Sequence, residues 1–383
     1  MTAAGAAARE LFDIPEDLAY FNCASIGPMP RTAQAEIAAA AARRGRPWTI
    51  SNVEWMDEVE ERRSLFAGLA GTDAEAIALV PSASYGLAVA GRNLAAAPGR
   101  RILLLADDFP SDVYTWRRFA AAKGCDIVTV DRAEEGGWTR AILDRVDERT
   151  AIVAVPNVHW TDGALIDLAA VGVRAREVGA ALAVDASQSF GIVPIDWEQV
   201  RPDFLVTVGY KWLLGPYGLG YLYVDGKHRC GEPLEENWLL REGSEDFARL
   251  VDYVDVYRPG ARRYDVGQRS AFELTRAASV SLRLMREWQA QDLAGTLGAI
   301  TGRIEAEARR LGLRIGSGPQ RAPHLIGLEL PAAAVGRAAA LFREANVHIS
   351  FRGRAVRIAP HVYTTDSDVE RLLGALARVA EAA

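Results

Sequence analysis

Residues 181–224 read ALAVDASQSFGIVPIDWEQVRPDFLVTVGYKWLLGPYGLGYLYV, and this stretch decides the fold of the chain. Its two apolar runs, Ala181–Val184 and Phe204–Val208, predict short buried strands. Each run is followed by an ionisable residue, Asp185 after the first and Lys211 after the second. Strand–helix–strand units before and after this stretch predict an α/β fold with a mainly parallel sheet, whose active groups lie at the carboxyl ends of the strands.

Lys211 is one of only three lysines among the 44 basic Lys and Arg residues of the chain. Lys123 and Lys227 lie in polar connections, whereas Lys211 lies between Tyr210 and Trp212. A desolvated lysine can lose its proton and attack a carbonyl, which an arginine cannot do. Lys211 is therefore interpreted as a Schiff-base lysine, with a lysine that extends from a strand end to solvent as the alternative.

Asp185 and Gln188 suggest what the Schiff base would hold. Pyridoxal phosphate acts as an electron sink when a buried carboxylate faces its protonated ring nitrogen. We predict that Asp185 supplies this carboxylate and that Gln188 meets the ring hydroxyl. The alternative for Asp185 is an N-cap of a short helical turn.

The motifs D-A-S-Q (185–188) and G-Y-K-W-L-L-G-P-Y-G-L-G (209–220) resemble the class V aminotransferases, a family of pyridoxal-phosphate enzymes with the fold-type I architecture. Within this family the chain is most similar to kynureninases, and the motifs extend from Tyr20 to Val369. The resemblance implies a large domain with a seven-stranded sheet and a small α+β domain formed by the chain ends. We predict an N-terminal segment at 1–45 that joins the small domain, a cofactor-binding domain at 46–270 and the C-terminal small domain at 271–383.

Several segments match cofactor-binding positions of the family. A strand, the small-residue turn Ser82-Ala83-Ser84 and a helix predict a phosphate loop, because such a helix start presents free N–H groups. An ordinary serine N-cap is the alternative. In the run F-P-S-D, Phe109 is expected to stack on the cofactor ring. Asp112 is expected to orient cofactor or substrate, or to cap a helix at 113–122. Tyr210 completes the predicted cofactor set.

The substrate side is predicted from four further segments. In H-W-T-D-G (159–163), Trp160 is expected to face the substrate and His159 to carry a proton, although a structural histidine is the commoner case. The segment A-S-I-G-P (24–28) resembles a kynureninase segment, which places Asn22 and Ser25 near the substrate. Arg263 and Gln268, in an Arg-rich stretch at 257–268, are expected to bind phosphate or an acidic substrate group, with a surface ion-pair cluster as the alternative.

Arg357 is the predicted ligand of the substrate α-carboxylate. It lies between Val356 and Ile358 in V-R-I-A-P-H, a run similar to the C-terminal signature of the family. A buried guanidinium needs an anion, and residues 347–363 contain no acidic side chain.

Composition bounds the remaining possibilities. The net charge of −6 argues against nucleic acid as a partner, and no apolar run approaches the ~20 residues of a membrane span. The three cysteines are far apart, which fits reduced thiols and predicts no metal site, and the N-terminus does not resemble a signal peptide. We expect a cytoplasmic protein, and the resemblance implies a homodimer.

The resemblance implies chemistry on an amino acid: a Schiff base between substrate and cofactor, followed by removal of the Cα proton. A kynureninase-like lyase or hydrolase that cleaves or eliminates at Cβ is the leading hypothesis, and a class V aminotransferase is the second. The segment 312–357 contains no cysteine, which argues against a cysteine desulfurase. A nucleotide-binding protein that uses G-P-Y-G-L-G as its loop is a remote alternative, because these glycines do not open a helix.

Overall fold

The computed structural model describes residues 8–134, 137–317, 320–352 and 355–382. Its strands are β1 (Ala19–Tyr20), β2 (Ile77–Val80), β3 (Arg101–Leu105), β4 (Asp126–Val130), β5 (Thr150–Pro156), β6 (Ala181–Asp185), β7 (Phe204–Val208), β8 (Gly220–Val224), β9 (Arg314–Ile315), β10 (Ile326–Glu329), β11 (Val347–His348), β12 (Ser350–Arg352) and β13 (Ala355–Ile358). Its α-helices are α1 (Arg31–Arg44), α2 (Glu58–Ala70), α3 (Ala83–Asn93), α4 (Pro110–Lys123), α5 (Gly137–Leu143), α6 (Leu168–Glu177), α7 (Trp197–Val200), α8 (Thr275–Ala290), α9 (Leu293–Arg310), α10 (Val335–Glu344) and α11 (Asp366–Glu381).

A seven-stranded sheet in the order β2-β8-β7-β6-β5-β3-β4 forms the centre of the fold. Strands β4, β3, β5, β6 and β7 pair in parallel, whereas β8 runs antiparallel to both of its neighbours, β7 and β2. The predicted α/β architecture with a mainly parallel sheet is confirmed. Because β6 and β7 are parallel neighbours, the residues that follow Asp185 and Val208 emerge at the same edge.

Both faces of this sheet are buried, which explains why its strands are continuous apolar runs. Val184 and Leu205 belong to one apolar cluster, and Ala183 and Val206 belong to another. Neighbouring residues of a strand point to opposite faces, so each run supplies both clusters.

The C-terminal part builds a four-stranded antiparallel sheet in the order β12-β13-β10-β9, with its own apolar cluster. The N-terminal strand β1 pairs in parallel with β11, and Asn22 bridges to Ala359. The two ends of the chain therefore meet beside this small sheet. The division into domains at residues 45 and 270 stays a prediction.

Two helix starts differ from the sequence prediction. Helix α4 begins at Pro110, so Asp112 lies inside its first turn and the prediction that it caps a helix at 113–122 is wrong. Proline suits the first helical position, because its fixed φ and missing N–H cost nothing there. Helix α3 begins at Ala83, so it includes Ala83 and Ser84 of the predicted phosphate loop, and only Ser82 precedes it. Among the described helices, none is both long and apolar enough to cross a lipid bilayer.

Candidate active site

A cavity of about 250 Å³ lies at the carboxyl ends of the parallel strands. The structure brings ten of the predicted residues to its wall: Ser82, Ala83, Ser84, Phe109, Asp112, Trp160, Asp185, Gln188, Tyr210 and Lys211. These residues come from five separate segments of sequence, and strand order alone places them together.

Lys211 is the cation of this cavity wall, and its side chain is buried. Its Nζ lies 5.5 Å from the ring centroid of Phe109 and 5.9 Å from that of Tyr210. Burial lowers the pKa of Lys211 to about 8, although Asp185 opposes the shift. Among the described residues, no carboxylate lies within 4.0 Å of Nζ. Lys211 is therefore an amine that loses its proton far more readily than an exposed lysine.

The turn that carries Lys211 is held from both sides. Leu214 closes it with φ of 53°, a left-handed conformation unusual for a leucine, and its N–H donates to the Lys211 carbonyl at 3.1 Å. Gly27 crosses so close that a Cβ there would lie 2.4 Å from the same carbonyl oxygen. The N-terminal segment 24–28 therefore packs directly on the Lys211 turn, and only glycine fits at 27.

Asp185 is the last residue of β6 and Gln188 follows the strand, and both line the cavity together with Lys211. The Asp185 carboxylate accepts a hydrogen bond from the Ser187 N–H at 2.7 Å, so it also serves its own turn. The Gln188 amide donates to the Ala24 carbonyl at 3.0 Å and accepts from the Trp212 indole N–H at 3.0 Å. This leaves Gln188 one amide N–H for a ligand.

Three carboxylates converge at this edge: Asp108, Asp112 and Asp185. Burial raises the pKa of Asp108 to about 6, and Asp185 adds to the shift. Burial also raises the pKa of Asp112 well above its usual value, helped by Asp185 and Asp108. Oδ2 of Asp112 and Oγ of Ser187 are buried without a hydrogen-bond partner. Buried polar atoms are normally satisfied, so these two fit a polar ligand such as the cofactor.

The predicted phosphate loop adopts its alternative role as a serine N-cap, and phosphate binding there stays a prediction. Ser82 is the N-cap of α3, with its Oγ accepting from the Tyr85 N–H at 3.2 Å and lying 3.0 Å from the Ser84 Oγ. Gly86 packs against β7, where a Cβ would lie 2.6 Å from Val206 Cγ2. The helix start and the two hydroxyls therefore form a wall of donors at the cavity.

Trp160 and His159 lie at a tight turn, in which the Gly163 N–H donates to the His159 carbonyl at 3.0 Å, and their rings contact different residues. Trp160 lines the cavity, and its ring meets the edge of Phe109 at 5.5 Å. The His159 ring instead stacks on Trp138 at 5.0 Å, and its Nδ1 lies 2.9 Å from the Thr161 Oγ1. His159 lines a neighbouring cleft and not the Lys211 cavity, so the structure does not place it as a proton carrier beside Lys211.

Arg357 is buried next to the cavity, and its guanidinium binds only neutral oxygens. Nε donates to the Ser350 Oγ at 3.1 Å, Nη1 to the Trp160 carbonyl at 2.9 Å and Nη2 to the Ser25 Oγ at 2.6 Å. Burial lowers its pKa to about 9, and Arg352 adds to the shift. The predicted residue Ser25 therefore contacts Arg357 directly. Asn22 precedes Ser25 in the same segment, and its buried Oδ1 has no hydrogen-bond partner among the described residues.

Arg263 and Gln268 do not reach this cavity within the chain. The Arg263 guanidinium donates to the Gly231 carbonyl at 3.0 Å and stacks over Tyr257 at 4.6 Å, and Gln268 is exposed. Neighbouring Arg262 pairs with Glu60 and Glu75, which agrees with the alternative of an ion-pair cluster.

Sequence reasoning missed Asp108 and Arg352. Asp108 comes shortly after β3, and the rule that singled out Asp185 would have found it. Arg352 lies in β12, and its guanidinium lies 5.2 Å from the Trp160 ring centroid. Buried Trp212, His324 and His361 also support the Lys211 turn from below, with His361 Nε2 3.1 Å from the Trp212 carbonyl. No local signal in the sequence brings these three residues together.

The chain is similar in sequence to known proteins. The family model described as aminotransferase class-V matches residues 33–244. The uncharacterized aminotransferase YcbU of Bacillus subtilis is 26% identical over 328 residues, which cover 85% of this chain and 84% of that protein. A kynureninase of Deinococcus radiodurans is 29% identical over 279 residues, which cover 70% of this chain and 65% of that protein.

A solved structure of a C-DES mutant, with glycine covalently linked to its PLP cofactor, superposes on this chain with a TM-score of 0.85. The superposition covers 98% of this chain and 99% of that one at 18% sequence identity. This likeness extends to both sheets, so the whole described chain shares that fold.

Proposed function

Since the chain belongs to the class-V aminotransferase family of pyridoxal-phosphate enzymes, we propose that Lys211 carries the cofactor and that the cavity acts on an amino acid. The observation that carries the proposal is the buried Lys211, with its pKa lowered to about 8, beside Asp185 at adjacent strand ends. The resemblance found in the sequence motifs is confirmed at the level of this family.

The residues of the cavity fit this cofactor. Pyridoxal phosphate, when bound, supplies an electron sink for carbanions at Cα. Asp185 would hold positive charge at its ring nitrogen, and the free N–H of Gln188 would meet its ring hydroxyl. Ser82, Ser84 and the start of α3 would hold its phosphate. Oδ2 of Asp112 and Oγ of Ser187, which have no hydrogen-bond partner among the described residues, would be available for hydrogen bonds to the cofactor.

The side chains in and next to the cavity would have separate roles. Lys211 Nζ would hold the cofactor through its aldehyde group, and as a neutral amine it would take the Cα proton of the substrate. A pKa of about 8 suits this role, because a base works best when its pKa lies near the operating pH. Arg357 would bind the substrate α-carboxylate, with Asn22 and Ser25 beside it, and Trp160 and Phe109 would exclude water over the reacting atoms.

For the reaction after proton removal, we propose a kynureninase-like cleavage or elimination at Cβ. Phe109, Asp112 and Trp160, which carry the kynureninase resemblance, all line the cavity. A transaminase is the second candidate, supported by the similarity to an aminotransferase over 85% of this chain. The cysteine nearest Lys211, Cys23, does not favour a persulfide relay, because burial raises the pKa of its thiol.

We also propose a homodimer in the cytoplasm. Large apolar side chains are exposed in the segment 247–256, among them Val251 and Tyr253 at 74% and 91%. Such a surface is typical of a subunit interface. Arg263 and Gln268 lie near this segment in sequence, and in the dimer they would be available to the partner's cofactor.

The cofactor assignment is tested by labelling. Protein expressed with pyridoxal phosphate should show a visible absorbance band, and borohydride reduction followed by peptide mapping should find a pyridoxyl group on Lys211. The matched control is Lys211→Arg, which keeps the charge and should lose both the band and the label. A label on Lys123 or Lys227 in the wild-type protein would refute the assignment. Release of alanine or pyruvate, against keto-acid-dependent amine transfer, separates the two reactions.

A further inference from the structure

Two guanidinium groups, of Arg357 and Arg352, lie side by side where the Lys211 cavity adjoins the neighbouring cleft: Arg352 lines that cleft, and Trp160 lines both spaces. Arg357 donates to the Ser25 Oγ at 2.6 Å, and Arg352 donates to the same oxygen at 3.5 Å. Both also flank the Trp160 ring, with Cζ at 6.0 Å and 5.2 Å from its centroid. Within the described ranges, neither arginine has a carboxylate within 4.0 Å.

Arg352 is poorly satisfied by the protein. Among the described residues, Arg352 donates to the Phe351 carbonyl at 2.7 Å besides the long contact to Ser25, and its buried Nε has no partner there. Five N–H groups make a guanidinium a strong anion ligand, and desolvated charges without a counter-ion are costly. Burial lowers the pKa of Arg352, which shows the same cost.

The positive charge near Lys211 indicates how many anionic groups a bound substrate would supply. Arg357 and Arg352 both lower the pKa of Lys211, so their fields reach the reacting amine. One substrate α-carboxylate would neutralise a single guanidinium and leave the other uncompensated. Two acidic groups of the cleft that Arg352 lines are engaged elsewhere: Asp162 pairs with Arg132 at 2.6 Å, and Glu329 faces Arg314 at 3.7 Å. Asp107, Asp108 and Asp131 line the same cleft, but among the described residues no carboxylate lies within 4.0 Å of either guanidinium.

The geometry points to a substrate with two anionic groups, in which Arg357 binds the α-carboxylate and Arg352 binds an acid at the end of the side chain. The substrate class is an amino acid with a carboxylate, sulfinate or sulfonate on a short side chain. Trp160, whose ring lies close to both guanidinium groups, would pack against the carbons that join the two acids. This inference rests on the proposed function, because it assigns the substrate of that same site.

Matched pairs of amino acids test it on the holoenzyme. L-Aspartate with L-asparagine, and L-glutamate with L-glutamine, differ in charge but hardly in shape. Titration of the visible band gives a Kd for each, and we expect the acid to bind at least about tenfold more tightly than its amide. Arg352→Gln should bring this ratio close to one, and Arg352→Lys should retain part of it. Arg314→Gln, an exposed arginine of the same sheet, should leave the ratio as in the wild type.

Two results would overturn the inference: equal binding of acid and amide by the wild type, or an Arg352→Gln variant that weakens both members of a pair equally. The second result would mean that Arg352 shares the α-carboxylate with Arg357.

A cofactor-independent measurement separates this inference from the proposed function. Glutarate has two carboxylates and no amine, and butyrate has one. Glutarate should raise the thermal midpoint of the cofactor-free protein more than butyrate, and Arg352→Gln should abolish the difference. A protein that takes up no cofactor but shows this difference refutes the proposed function and keeps the double-anion site. Absence of the difference counts against the site.

Discussion

Two sets of buried arginines in this molecule differ in the groups that contact their positive charge. Under the β2 edge of the large sheet, Arg63 makes a two-point contact with Asp265, at 3.0 and 2.7 Å, and also binds Glu60. Arg269 shares the same carboxylate at 2.8 Å. We call Arg63, Asp265 and Arg269 the paired network. Arg357, equally buried, has only two hydroxyls and a carbonyl.

The pKa values of Arg63 and Arg357 follow this difference. Burial alone would lower the pKa of Arg63, but Asp265 and Glu60 more than offset it and the pKa is raised. At Arg357 no carboxylate of the described residues opposes the effect of burial, and the pKa falls to about 9. Burial also lowers the pKa of Arg269, although it shares Asp265, and that of Arg62, which donates to the Thr275 hydroxyl and the Arg269 carbonyl. An open guanidinium alone therefore does not indicate a ligand, and the proposal for Arg357 depends on its position next to the cavity.

The largest expected effect is on the paired network. Asp265→Asn keeps the shape of the side chain and leaves Arg63 and Arg269 without their shared anion. We expect a loss of about 3–5 kcal/mol in the free energy of unfolding, measured with urea, because breaking a buried pair strands a charge. Asp144→Asn, in an exposed pair with Arg140, is the control and should change that free energy by less than about 0.5 kcal/mol. A similar small loss for Asp265→Asn would remove the contrast between the two sets.

The next effect concerns the open arginine. Arg357→Ala should keep the cofactor band and destabilise the protein less than Asp265→Asn, because no protein carboxylate loses a partner. Amino-acid binding should fall by about 2–5 kcal/mol, measured by titration of the band. Arg357→Lys should recover only part of this loss, since an ammonium cannot make the two-point contact. Loss of folding or of cofactor, with amino-acid binding intact in the folded fraction, would make Arg357 structural.

The sequence predicted the two sets unequally, for a physical reason. Local patterns were enough to predict that Lys211, Asp185 and the phosphate loop lie at one cavity, because strand ends and helix starts impose short-range rules on residue types. They were also enough to question Arg357, since an arginine between apolar strand residues needs an anion. The residues that answer this question lie far away in sequence: Ser25 is 332 residues from Arg357, and Trp160 is 197 residues away.

His159 shows the limit in the other direction. Its neighbours in sequence suggested the cavity, but residues 160–162 form a turn, and no side-chain period within a turn determines which residue faces the cavity. Arg263 shows the same limit for loops, where no periodicity fixes direction. Residue type predicted the chemistry at these positions, and only the fold determined which side chain faces the cavity.

The smallest effect extends the comparison from cations to a buried anion, Asp108. Its carboxylate accepts from the Phe109 N–H at 2.7 Å and, among the described residues, has no cation within 4.0 Å. Burial raises its pKa to about 6, from an ordinary value of 3.8. Between these two values the folded state binds the extra proton, so its contribution to the free energy of unfolding falls as pH rises through 6. Above this pH the folded protein carries the full cost of an unpaired buried charge.

Asp108→Asn removes this cost while its amide oxygen can still accept from Phe109. In cofactor-free protein, the variant should be more stable than the wild type at pH 8 by about 3 kcal/mol, because one pKa unit corresponds to about 1.4 kcal/mol. The advantage should shrink as pH falls from about 6 to 3.8, where the wild-type carboxyl is protonated first in the folded and then in the unfolded protein. Urea unfolding at several pH values measures it. In the holoenzyme the gain should be smaller, because a cationic ring nitrogen at Asp185 would stabilise every carboxylate of the cluster. A variant that is less stable than the wild type at pH 8 would show that the charge of Asp108 is paired in the folded protein, and the open carboxylate would then resemble the paired network instead of Arg357.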